Sequence, residues 1–187
     1  MPKDMPTFTD ALALMHEFTQ NEALRRHMYA VEIAMRAYAR KFNADEEEWG
    51  ITGILHDFDY EKYPTIPEHP LKGSEILKER GYNENIRNAI LGHASYAQVP
   101  RTTLMAKALY ACDELSGFIM AVAVIRPNKL NDLEPSSVKK KMKDKAFARN
   151  VNREEIVHGA EELGVELDTH IKFVIAALSS ESVKIGL

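Results

Sequence analysis

Six residues of this chain have side chains suited to reactive chemistry at a shared centre: His27, His56, Asp57, His69, His93 and Asp113. Four imidazoles and two carboxylates, with no thiolate among them, suit a divalent ion at a working site rather than a cysteine-rich structural zinc. The expected cofactor is a divalent metal, Mn, Fe, Co, Ni, Zn or Mg. The intervals between the six are 29, 1, 12, 24 and 20 residues, so no local loop can gather them and only a fold can. Each also falls where charge is expensive unless paired or bound to metal. His27 shares a helical face with Leu24 and Val31. His56 and Asp57 are adjacent, about 100° apart on a helix, so the two side chains diverge around a common pocket. His93 continues the stripe of Ile86 and Ile90. Asp113 sits among Ala106, Leu109, Ser116 and Gly117, small or apolar neighbours that leave room beside a carboxylate.

The elements that must position these residues read as helices nearly throughout. Between Asn21 and Phe42 the apolar positions Leu24, Met28, Val31, Met35, Tyr38 and Phe42 step by 4, 3, 4, 3 and 4, which is one continuous helical stripe. Asp45, Glu46, Glu47, Glu48 has the form of a capping box and opens a second helix towards His56. Pro64 and Pro67 impose a loop, Pro70 suits the first turn of the next helix, and Gly81 is placed to end it. A long buried helix is expected over 102–125. A surface loop and a basic helix follow over 127–145, then a helix opened by a second capping-box pattern, Asn152, Arg153, Glu154, Glu155, and ended at Gly164, and a last one after Asp168. No period-2 run or internal repeat interrupts this pattern. The fold class is therefore all-α, a compact helical bundle. Its expected organisation is an N-terminal helix in 1–20, a metal-binding core in 21–126 and a C-terminal helical extension in 127–187.

Composition narrows the function. The 187 residues hold 45% hydrophobic and 28% charged side chains, a globular balance, and their number fits one domain with room for an appendage. Twenty-four Lys and Arg against 28 Asp and Glu leave a net charge of −4, with no global field to attract nucleic acid or an anionic membrane. The first 18 residues carry Asp4, Asp10, His16 and Glu17 and lack a signal-peptide apolar stretch. The strongest apolar run, 118–125, is far short of the about 20 residues that span a bilayer. One cysteine, Cys112, forms no internal disulfide and fits a reducing compartment. The expectation is a cytoplasmic protein that binds neither membrane nor nucleic acid, with amphipathic terminal helices that would suit a homodimer.

The order His27, His56-Asp57 within ILHDFDYEK, His69, His93, then Asp113 within YACDELSGFI resembles the HD-domain superfamily of metal-dependent phosphohydrolases, named for its His-Asp doublet. Through CDELSGFI, the RPNK segment and VKKKMKDKAFARNVNREEI, the wider chain is similar to a bacterial and archaeal subfamily of hydrolases in that superfamily. The resemblance implies that His27, His56, Asp57 and Asp113 hold one ion. In dinuclear branches Asp57 would bridge to a second ion held by His69 and His93. Some of those branches carry a His-His pair where this chain has His93 followed by Ala94, which leaves the second site weaker or empty. The implied activity is hydrolysis of a small phosphate ester, a nucleotide foremost. The same fold and ligand order also resemble the mixed-valent di-iron oxygenases of the superfamily, and a nucleotide-binding module without turnover is a further alternative.

Phosphate-ester hydrolysis needs proton transfer and charge neutralisation beside the metal. Asp57, Asp59 and Glu114 are the candidates for catalytic carboxylates, with Glu61 nearby. Lys62, Arg101, Lys107 and Arg126 are the candidates for holding phosphate. The lysine run Lys139, Lys140, Lys141, Lys143 and Lys145, with Arg149, reads as a solvated helix face, or else as a lid over a polyanionic substrate. His16, His158 and His170 read as residues outside the site.

Overall fold

The computed structural model describes residues 5–187, in which nine α-helices and no strand are found. They are α1 (Phe8–Phe18), α2 (Glu22–Phe42), α3 (Glu46–Leu55), α4 (Glu68–Glu79), α5 (Glu84–His93), α6 (Leu104–Val124), α7 (Pro135–Met142), α8 (Arg153–Leu163) and α9 (Leu167–Ser180). None is long and apolar enough to cross a membrane.

The predicted stripe of α2 faces inward: Met28, Val31, Met35 and Tyr38 have no exposed surface. The Asn21 side chain accepts from the Leu24 N–H at 3.1 Å to open the helix, and Asn43 closes it in the left-handed region at φ 53°. Against α2 lies α3, and the contact is as close as backbone allows. A Cβ on Gly53 would stand 2.7 Å from the Glu32 Cα, so only glycine lets the two helices meet here. The other long helix, α6, is buried along most of its length and packs on α2, α5 and α8. One continuous hydrophobic core runs from Ala11 to Ile185.

Two expected capping boxes turn out one-sided. The Asp45 carboxylate accepts from the Glu47 and Glu48 N–H groups at 2.9 and 3.0 Å, but the Glu48 carboxylate takes the Asn83 amide instead of reaching back. The Asn152 side chain likewise accepts from Glu154 and Glu155, while its own N–H donates to Glu114 Oε2 at 3.0 Å. Glu155 is thereby released from the cap. The last helix begins at Leu167, ahead of the expected position, because the Glu166 carboxylate accepts from the Thr169 N–H and serves as its cap. In α4, His69 itself is non-helical (φ −80°, ψ 134°), as the residue before a proline tends to be.

His170 lies outside the site, as expected, and ties α9 to α2 and α6. Its Nδ1 accepts from the Tyr38 hydroxyl at 2.6 Å and its Nε2–H donates to the Ala111 carbonyl at 2.9 Å, an arrangement that requires the neutral ring. Burial pushes its pKa down to about 4. Since the folded value lies below the ordinary one, the unfolded chain takes up the proton first. The stability this histidine contributes is complete above pH 6.5 and is lost as the pH falls towards 4, amounting to about 3 kcal/mol. His170→Gln should therefore lose less stability than the parent between pH 7 and pH 4.5 in denaturant titrations. Equal losses in the two proteins would refute the assignment.

Candidate metal centre

Five helices deliver the six residues to one place. His27 comes from the second turn of α2, His56 and Asp57 from the end of α3, His69 from the start of α4, His93 from the last position of α5 and Asp113 from the middle of α6. The ligand atoms fall into two triads, His27–His56–Asp113 and Asp57–His69–His93, with the atoms of each within 4.8 Å of one another. In the first, His27 Nε2 lies 3.2 Å from His56 Nε2 and 3.0 Å from Asp113 Oδ1. In the second, Asp57 Oδ1 lies 3.2 Å from His69 Nε2 and 3.4 Å from His93 Nε2. The other oxygen, Asp57 Oδ2, faces the first triad, 3.5 Å from His56 Nε2 and 3.8 Å from His27 Nε2. Asp57 thus offers one oxygen to each half. The donor set fits a divalent ion: imidazole nitrogens and carboxylate oxygens converge, buried or half-buried, without thiolate.

All four imidazoles present Nε2 to the centre, and in three of them an acceptor holds Nδ1. The Gly53 carbonyl takes His56 Nδ1 at 2.8 Å, and the Ile90 carbonyl takes His93 Nδ1. Asp59 takes His69 Nδ1 at 2.8 Å through Oδ1, and its Oδ2 accepts from the Gly73 N–H at 2.9 Å. Such outer hydrogen bonds fix the tautomer and aim the ring. A Cβ on Gly73 would lie 2.7 Å from the Asp59 carboxylate, so glycine is what lets the clamp close.

The electrostatics follow from this crowding. Burial pulls the His56 pKa down, but the Asp57 and Asp113 carboxylates carry it well above the ordinary value. Burial works against ionisation of Asp57 and Asp113 too, yet the neighbouring histidines hold both far below the usual carboxylate range. His69 is desolvated as well, and its bonds to Asp57 and Asp59 still raise it to about 9. The site is a well of negative charge suited to a cation. On its wall, burial and then the charge of Asp113 push Glu114 up to about 7.

The centre opens into a pocket of about 370 Å³, walled beyond the cluster by Tyr60, Ser95, Tyr96, Glu114 and Glu155 among others. Of the residues expected there, Asp57 and Glu114 are present. Asp59 is fully buried behind His69 and does not line the pocket, so its place is that of an orienting residue and the catalytic expectation is corrected. The four cationic candidates are corrected as well, because none lines the pocket. Lys62 lies over the Phe18 ring at 3.7 Å. Arg101 pairs with Glu162, donates to the Gly92 carbonyl at 2.7 Å and stacks on Tyr110. Arg126 is held by Asp132 and by the Lys129 and Asn131 carbonyls. Lys107 is half-buried elsewhere on α6. Glu61 accepts from the Gln20 and Asn21 N–H groups. The lysines of α7 do not reach the pocket either: Lys139 pairs with Asp168 and Lys141 with Asp144. Ser95, Tyr60, Tyr96 and Glu155 were not foreseen. Glu155 was hidden in a capping pattern, and no spacing signal marks the other three.

Histidines and aspartates from five separate helices, an adjacent His-Asp pair among them, converge in this all-helical domain into two groups that could hold metal ions. The HD domain model matches residues 24–117, 94 of the 187, and the chain belongs to the HD domain family. No curated protein and no solved structure matches it. HD domains bind divalent metals, and among the described residues the two triads are the groups that could hold them. Asp59→Ala should lower the affinity for a second equivalent of Mn²⁺ by about 10- to 100-fold, since losing such an outer partner usually costs that much. Calorimetric titration should show the first equivalent binding as before. Unchanged affinity for both equivalents would contradict the orienting role.

Proposed function

We propose that this protein is a metal-dependent phosphohydrolase acting on a small phosphate ester. The observation that carries the reading is the split of the Asp57 carboxylate between the two triads at the floor of an open pocket. When bound, divalent ions polarise a phosphoryl oxygen and lower the pKa of water from 15.7 towards about 7. The chain's own residues do the rest. His27, His56 and Asp113 hold one side of the centre and His69 and His93 the other, with Asp57 setting the separation. Asp59 keeps His69 Nε2 aimed inward. Glu114 stands on the wall with its pKa near 7, and Asn152 engages only Oε2. Glu114 Oε1 is then free to hand a proton to the departing alcohol oxygen. The similarity to the bacterial and archaeal hydrolase subfamily supports the same reading, as does family membership. A nucleotide remains a member of the proposed substrate class.

A second reading, a di-iron oxygenase acting on a neutral polyol, is favoured by one observation, the absence of lysine and arginine from the described residues that line the pocket. Elemental analysis of protein purified under low oxygen, followed by assay of the metal-loaded enzyme on a broad phosphoester panel, separates the two. The hydrolase reading expects phosphate release, abolished by chelator and reduced on the order of 10³-fold by Asp57→Ala. Full metal occupancy with no ester hydrolysed, and oxygen uptake on adding a polyol, would overturn it.

A further inference from the structure

We infer that the pocket selects a phosphate monoester whose alcohol carries hydrogen-bond donors, hydroxyl or ammonium, through Glu155 and Ser95, and that it disfavours any ester with a second phosphate. The inference rests on the phosphohydrolase reading and adds the substrate class to it. Four carboxylates line the pocket, Asp57, Asp113, Glu114 and Glu155, and among the described residues no lysine or arginine does. Glu114 donates a proton in the proposed step and is counted neutral, so two divalent ions would carry +4 against −3 from Asp57, Asp113 and Glu155, and one dianionic phosphate already exceeds what the site neutralises. A second or third phosphate would lie against the Glu155 carboxylate with no cation among the described residues to meet it, and like charges at close range in a half-buried site repel strongly. The cations that could have served are committed elsewhere: Arg101 to Glu162 and Gly92, Arg126 to Asp132.

What the wall offers instead is acceptors. Glu155 stands half-buried in the first turn of α8, its carboxylate free of the capping role its position suggests and touched by the Ser95 hydroxyl at a loose 3.3 Å. Carboxylate and hydroxyl groups side by side accept from vicinal hydroxyls or from an ammonium group, and charge-assisted bonds of this kind are the stronger sort. A volume of about 370 Å³ is at the small end of ligand sites, the size of a sugar or amino-alcohol phosphate.

Non-hydrolysable phosphonates test this without turnover. The full-length protein, loaded with Mn²⁺, is titrated by calorimetry with ethylphosphonate, 2-hydroxyethylphosphonate and 2-aminoethylphosphonate, which differ only in the donor. The expected result is that at least one donor-bearing probe binds about tenfold tighter than ethylphosphonate, and which one it is distinguishes hydroxyl from ammonium. Glu155→Gln should erase most of an ammonium preference, and Ser95→Ala together with Glu155→Ala should erase a hydroxyl preference. Retained affinity for ethylphosphonate shows that the variants have kept their fold. Equal affinities for all three probes in the parent protein, or ATP binding more tightly than the donor-bearing probe, would overturn the inference. Hydrolysis of p-nitrophenyl phosphate alongside these failures would leave the phosphohydrolase reading standing; no hydrolysis by the fully loaded enzyme would remove both.

Discussion

Everything in this bundle is arranged around one shared carboxylate. Asp57 lies between four imidazoles, with Oδ2 towards His27 and His56 and Oδ1 towards His69 and His93. A buried anion is tolerable only if its partners are held in good geometry. That demand dictates where five helices meet. It explains why α3 must come so close to α2 that the Gly53 position admits no side chain, and why α4 starts from an extended His69 and not from a regular first turn. The hydrophobic core supplies the stability, and the carboxylate specifies the arrangement.

Orientation is handled by a second layer that is mostly backbone. The carbonyls of Gly53 and Ile90 each lie three residues before the histidine they hold, so a helix end both supplies the ring and aims it. His69 has no such carbonyl because its helix begins at that point, and Asp59 takes over the task. The same logic of substitution recurs at α8, where Glu114 caps the backbone in place of Glu155 and leaves Glu155 on the pocket wall. A single hydrogen bond moved from one glutamate to another changes which of them can meet a ligand.

The helices and the six clustered residues were legible in the sequence because both write themselves in spacing. A 4-3-4 stripe specifies which face of α2 is buried, and a histidine on that face has to be explained. The cations were misjudged because nearness along the chain is a poor guide outside a helix. Lys62 is five residues from Asp57, yet the loop after the doublet turns it onto Phe18, and Arg101 follows His93 closely only to anchor on α8. Asp59 was misjudged for a similar reason. It reads as a polar loop residue, and nothing local reveals that Gly73, fourteen positions on, folds over it. The carboxylate wall was illegible because it forms only when α8 docks against α6, where Gly159 rests on Ala111.

That docking divides the pocket unevenly along the chain. The family segment ends at Gly117, which borders His27, while Glu155 and Val151 on the pocket rim lie beyond it on the α8 side. The histidine and aspartate cluster lies wholly within the family segment, whereas the pocket wall is shared between that segment, through Tyr60, Ser95, Tyr96 and Glu114, and the C-terminal stretch, through Val151 and Glu155. Substitutions in the C-terminal stretch can therefore alter part of the wall without touching the cluster. Arg101 limits that freedom: by gripping Glu162 on α8 and the carbonyl next to His93, it keeps that part of the wall in register with the floor.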